Sequence, residues 1–227
     1  MRRLFRWVGA SLFLISLTSF ALLYVIRLRT PAPDDSSALR DAVANVVLFT
    51  IFALHHSLMA RTGAKAWITR IVPPDLERSV YVWIASLLFL AVCWLWQPLP
   101  GTVWQFRGPG LALYLAQFFG VVLTIAAARM VGVWDLAGVQ QPDPAKPVEF
   151  SASGPFSLVR HPIYLGWILI VFATPTMTTS QFLFAVVSTA YLAAAIPFEE
   201  RSLVDTYGEK YRAYQRQARW RLIPGIW

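Results

Sequence analysis

The stretch LVRHPIYLGW, Leu158 to Trp167, sets Arg160, His161 and Pro162 immediately ahead of an apolar run. A guanidinium binds carboxylates through a planar fork of donors. An imidazole changes charge near neutral pH. Further along, Glu199 and Glu200 follow Pro197 as adjacent carboxylates. Glu200, Val204, Tyr207, Tyr211 and Tyr214 then recur at spacings of four and three, one stripe of a helix that Gly208 weakens locally. Carboxylates beside Arg or His at a membrane surface can hold one another charged. The set reads either as a structural ion pair at a helix boundary or as a polar pocket with acid, base, imidazole and aromatic walls.

A second constellation lies in HHSLMARTGAKAWITRIVPPDLERSVY, residues 55–81. His55 and His56 close one apolar segment. Arg61, Lys65, Glu77 and Arg78 precede the next. A basic membrane-flanking loop explains the cations, but not two histidines and a glutamate at segment ends.

The elements that position these residues are apolar. Of 227 residues, 57% are hydrophobic and 14% charged. Soluble domains carry about 25% charged residues, so the composition predicts a membrane protein. Six segments stand out, about 7–26, 41–60, 79–96, 110–128, 163–178 and 181–197. A crossing helix needs about 20 mostly apolar residues. The first four meet or approach that length. The fifth is short and contains Pro175, and it predicts a helical hairpin with the sixth. MRRLFRW and its apolar run read as a retained first span, because the run exceeds the about 7–15 residues of a signal-peptide core.

The cations set the orientation. Arg2, Arg3, Arg6, Arg61, Lys65, Arg70, Arg78, Arg129, Lys146, Arg160 and the six cations of the tail fall on one side. Arg27, Arg29, Arg40 and Arg107 fall on the other. Six spans with both termini cytoplasmic follow. The expected architecture is all-α, a polytopic membrane helical bundle ending in a cytoplasmic helix. A single membrane domain is expected over 1–227, with residues 154–227 as the binding half. The 132–157 connection is punctuated by Pro and Gly and is long enough to act as a functional loop.

Other chemistries fit poorly. The net charge of +8 lies between apolar spans, so topology explains it better than nucleic acid does. Cys93 is the only cysteine, which excludes an intramolecular disulfide and argues against thiolate metal sites. No Gly-rich phosphate loop, GxSxG or HExxH is present. All three histidines sit at segment edges, poor positions for haem or zinc. No metal site is expected.

GPFSLVRHPIYLGW, EERSLVDTYGEKYRAYQRQ and the closing IP at Pro224 resemble the C-terminal signature of the isoprenylcysteine carboxyl methyltransferase family of integral membrane methyltransferases. HSLMAR, KAWITRIVPPDLERSVYV and WLWQPLPGTVW are similar to its bacterial methanethiol S-methyltransferase subgroup. The Asn-His pair of that subgroup is missing from AARMVGVWDLAGV, so the resemblance bears on the donor more than on the acceptor.

The resemblance implies S-adenosylmethionine as methyl donor. Carried onto this chain, its site comprises Arg160, His161, Pro162, Tyr164, Gly166, Glu199, Glu200 and Tyr211. Arg160 would pair with the donor's carboxylate, and a glutamate would take its ammonium or ribose. Tyr164 or Tyr211 would stack on adenine or face the sulfonium. Gly166 would admit the ligand or a neighbouring helix. On the acceptor side, Arg61 or Arg78 would stabilise a thiolate and His56 would take its proton, with Glu77 close in sequence. The expected acceptor is a small or lipid-like thiol. The alternatives are an isoprenoid or lipid carboxylate or amine, or a non-catalytic membrane assembly factor with this fold. The expected setting is the bacterial inner membrane, with lipid as neighbour and no nucleic-acid partner.

Overall fold

The computed structural model describes residues 1–34, 36–59, 62–106, 108, 110–140 and 152–227. It is mainly helical, with two short strands among the described residues, β1 (Thr102–Gln105) and β2 (Thr176–Thr178). Five helical stretches have the length and apolarity to cross a bilayer: Arg2–Arg27, Ala38–Met59, Pro74–Leu95, Ala112–Val131 and Thr179–Tyr207. Their outward faces keep large apolar side chains exposed, among them Leu115, Phe118 and Val122. Such faces suit lipid rather than water. The chain is an integral, polytopic, all-α membrane protein, as its composition predicts.

Contacts divide the chain into two compact units. The first takes Met1–Val103, Val133–Pro142 and Thr178–Leu183. Here α1 (Arg2–Leu22) runs into a π-helical turn, Leu23–Arg27. After it come α2 (Ala38–Met59), α3 (Thr62–Ile68), α4 (Glu77–Leu95) and, following α5 (Gly110–Val131) of the second unit, α6 (Val133–Leu136). Gly9 lets α1 approach α4, because a Cβ there would stand 2.7 Å from the Trp83 ring. Phe5 stacks on Trp83 at 5.2 Å and its carbonyl accepts from the indole N–H at 3.0 Å. Asn45, buried in α2, closes the end of α4. Its amide donates to Gln97 O at 2.7 Å and accepts from Gln97 N–H at 2.8 Å. A buried amide in an apolar helix is thus satisfied on both sides.

The second unit takes Trp104–Gly132, Asp143–Met177 and Phe184–Trp227. It holds α5 (Gly110–Val131), α7 (Pro155–Leu158), α8 (Pro162–Phe172), most of α9 (Thr179–Tyr207) and α10 (Glu209–Gln217). Leu123, Val159, Leu165, Ile196 and Leu222 form one core. Ile223 and Trp227 of the C-terminal tail pack against it.

The expected fifth segment is helical over 162–172 only. Eleven residues rise about 16 Å, roughly half of a hydrocarbon core of about 30 Å. Pro175 lacks an N–H and biases Thr174 away from helix, so the chain continues extended. Thr174 O accepts from the Trp104 indole at 3.0 Å, and Pro175 O from Phe106 N–H at 2.9 Å. Irregular backbone at membrane depth survives where protein covers it, and Ala173, Thr174 and Met177 are buried.

The α9 helix starts with a capping box. Thr178 Oγ1 accepts from Gln181 N–H at 3.1 Å, and Gln181 Oε1 accepts from Thr178 N–H at 3.2 Å. The helix runs through Pro197 and carries both glutamates inside it rather than beyond its end. It stops at Gly208, whose φ of +56° only glycine adopts readily. The expected stripe from Glu200 to Tyr214 therefore spans two helices.

Candidate functional site

The α8–α9 hairpin builds the site. Trp167 Nε1 donates to Ser188 Oγ at 3.0 Å, and Tyr164 OH donates to Glu199 at 2.8 Å. Arg160 meets Glu200. Contacts that climb one helix as they descend the other define an antiparallel pair, as expected. Pro162 occupies the first turn of α8, where its missing N–H leaves no bond unmade. Arg160 and His161 therefore sit just before the helix. Their N–H groups donate to Trp220 O and Arg221 O, each at 2.9 Å. The C-terminal tail is thereby tied to the motif.

Glu200 is 4% exposed, and its carboxylate is crowded with donors. Arg160 Nε reaches it at 2.6 Å, Arg221 Nε at 3.2 Å, and His161 Nε2 and Gln215 Nε2 at 3.4 Å each. Arg160 uses its other edge on backbone. Nη1 donates to Ala218 O at 3.2 Å and to Gln215 O at 3.4 Å, carbonyls at the end of α10 that no further turn would satisfy.

Glu199 is placed differently. Its side chain is 44% exposed, and it accepts from the Tyr164 hydroxyl. His161 Nδ1 lies 3.7 Å away, and the His161 ring stacks on Tyr164 at 5.3 Å. His161 thus stands between an accessible carboxylate and a buried one.

Tyr211 and Gly166 both lie packed against protein. Tyr211 is 1% exposed and clusters with Tyr214 and Ala218. Burial pushes both phenols well above their ordinary value, and the nearby Glu200 carboxylate adds to the shift. Gly166 faces α5. A Cβ there would collide with Thr124 Oγ1, and one at Gly120 would sit 2.7 Å from Gly166 O. Two glycines let these helices touch.

In the first unit, the structure joins His56 to a residue that sequence reasoning missed. Tyr81 OH lies 2.8 Å from His56 Nδ1, and the His55 ring stacks on Tyr81 at 6.1 Å. Tyr81 stands one turn after Glu77 on α4, a spacing that could have flagged it. Arg78 is held by Asp135, to the backbone O at 2.9 Å and to Oδ1 at 3.1 Å. Glu77 begins α4 half-buried, where a carboxylate favours the helix dipole. Arg61 and residues 141–151 of the long connection lie outside the described residues.

The phospholipid methyltransferase family matches residues 107–210, which include Arg160 through Glu200. The methanethiol S-methyltransferase of Mycobacterium tuberculosis is 36% identical over 223 residues, 92% of this chain and 91% of that protein. The chain belongs to the methanethiol S-methyltransferase family. Methanethiol S-methyltransferase 1 of Bradyrhizobium diazoefficiens is 38% identical over 81% of this chain and 67% of that protein. That of Crocosphaera subtropica is 36% identical over 91% and 86%. No solved structure matches. The phospholipid methyltransferase match ends before Arg221, which the fold joins to Glu200.

Proposed function

We propose that this protein is a membrane-embedded methyltransferase that moves the methyl group of S-adenosylmethionine to a small thiol. One observation carries the donor reading. A buried Arg160–Glu200 pair fixes the end of the hairpin, and an accessible carboxylate, Glu199, and an accessible guanidinium, Arg221, flank it. That donor set suits a ligand with both an ammonium and a carboxylate. The donor would supply a methyl group on a sulfonium sulfur. Glu199 and Tyr164 would hold its cationic end, and a tyrosine ring attracts a cation by about 0.5–2 kcal/mol. Glu200 would act from behind, by holding Arg160, His161 and Arg221 in place.

Transfer would break the S–CH3 bond of the donor, leaving a neutral thioether, and form one to the acceptor sulfur. The thiol proton must leave first. A thiol of pKa about 8.5 needs modest help to ionise. His56, oriented by Tyr81, is the proposed proton acceptor, with Arg61 or Arg78 as the thiolate's partner and Glu77 next to Arg78 in sequence. The distribution of cations supports a topology with both termini in the cytoplasm of a bacterial inner membrane.

The deciding experiment supplies donor labelled in its methyl group, with methanethiol, to purified protein in lipid. Label in the volatile thioether is expected. Label confined to lipid extract would replace the small thiol with a lipid-like acceptor. No transfer, with no stabilisation by S-adenosylhomocysteine, would remove the enzyme reading.

A further inference from the structure

We propose that Arg221 of the C-terminal tail, rather than Arg160 of the RHP motif, anchors the donor's carboxylate. The inference rests on the donor reading above and assigns a residue beyond it.

The two arginines share Glu200 but differ in what they have left. Arg160 is 9% exposed. Its Nε, Nη1 and Nη2 all donate, to Glu200 and to the Gln215 and Ala218 carbonyls. A ligand carboxylate would have to displace Glu200 or uncap α10. Arg221 is 38% exposed and gives only Nε to Glu200. Among the described residues its two terminal amino groups make no hydrogen bond. They form the edge that matches a carboxylate in bidentate fashion.

Arg221 is also held in place before any ligand arrives. Its backbone O accepts from His161 N–H at 2.9 Å, and Leu222 beside it is buried in the core. Its guanidinium lies 5.7 Å from the Trp227 ring centroid. A guanidinium resting on Glu200 and Trp227, on a backbone already pinned, loses little entropy on binding.

The charges select the ligand class. Glu199, His161, Glu200 and Arg221 form a connected row, with separations of 3.7, 3.4 and 3.2 Å. Its accessible ends are one carboxylate and one guanidinium. A zwitterionic amino-acid end satisfies both, whereas a phosphate would bring two charges towards Glu199.

The test compares S-adenosylmethionine with its decarboxylated form, which lacks only the carboxylate, by calorimetric binding to the full-length protein in lipid. Wild type should prefer the carboxylated ligand by about 10- to 100-fold, the range for charge-assisted hydrogen bonds. Arg221→Gln should erase that preference while still binding the decarboxylated ligand, which also shows that the site is folded. Arg221→Lys should keep part of it, and it replaces Arg221→Gln if that variant does not fold. An unchanged preference in the Arg221 variants overturns the assignment, as does an equal loss for both ligands. A wild type without preference overturns it too and leaves donor binding standing. A wild type that binds neither ligand overturns the donor reading itself.

Discussion

Arg160 Nε stands 2.6 Å from Glu200 Oε1, with the two side chains 9% and 5% exposed. The pair joins the start of α8 to the interior of α9, and through Ala218 O to the end of α10. Breaking one half of a buried pair costs about 3–5 kcal/mol, because the other charge stays behind. Glu200→Gln leaves the buried Arg160 guanidinium without its countercharge, and Arg160→Ala removes the nearest cation from Glu200, leaving Arg221, and strands two carbonyls. Both variants should lower the midpoint of thermal unfolding in detergent by several degrees. Midpoints within one degree of wild type would show that the pair is not a structural tie.

Glu199→Gln should behave in the opposite way. The side chain is nearly half exposed, so its loss should leave unfolding almost unchanged. Donor affinity should fall by about tenfold, since hydrogen bonds to charged groups are worth about 1.5–3 kcal/mol. Tyr164→Phe removes the hydroxyl that Glu199 accepts from. The two losses should therefore combine to less than their sum in a double-mutant cycle. Full additivity would separate the residues.

Tyr211 and Tyr214 give the unit a limit at high pH. Burial raises both phenols above the ordinary value of 10.0. Above about pH 10 the unfolded chain releases these protons while the folded chain keeps them. The folded state then binds more protons, so stability falls as pH rises. Below pH 10 both phenols are neutral in either state and contribute no slope. Chemical unfolding followed from pH 8 to 11 should show a decline beginning near pH 10. The slope should be shallower in Tyr211→Phe. An equal slope would assign the effect elsewhere.

Much of this was legible in the sequence. Apolar runs gave the five long helices, since lipid leaves few other ways to satisfy a backbone. Arg160, His161, Glu199 and Glu200 were legible as a cluster because a short hairpin must bring its ends level. What single residues do there was not. Glu199 and Glu200 are neighbours in sequence but face different surroundings, and only packing decides which is buried. Arg221 was hidden among six tail cations, and its place depends on backbone pairing of 160–161 with 220–221. The spacing that puts Tyr211 on the stripe of Glu200 also buries it, which periodicity alone does not tell. Tyr81 and Asp135 meet His56 and Arg78 across long separations that no periodicity encodes.

Gly120 and Gly166 test the closeness of α5 and α8. A methyl at either position meets backbone or Thr124 within the other helix. Overpacking of this kind costs about 1–3 kcal/mol. Gly166→Ala should destabilise the protein by that amount and shift α8, and with it Arg160, so donor affinity should fall as well. Thr124→Ala in the same chain opens room and should restore part of both. If Gly166→Ala weakened donor binding with no change in stability, the glycine would face the ligand rather than α5.

The proposed role of His56 as proton acceptor can be tested through its contact with Tyr81. With Nδ1 unprotonated, the Tyr81 hydroxyl donates to it and leaves Nε2 carrying the proton; with the tautomer reversed, Nε2 is the free base. A residue that orients a base matters only while the base is present. Tyr81→Phe should therefore lower kcat by about tenfold and leave donor affinity unchanged, and His56→Ala should lower it further. In the double variant the Tyr81 change should add nothing to the loss from His56→Ala. The pH profile should separate this role from plain packing. A small thiol ionises unaided at high pH, so the deficit of both variants should shrink as pH rises past its pKa. A deficit that stays constant from pH 7 to 10 would make Tyr81 a packing residue and take His56 out of proton transfer.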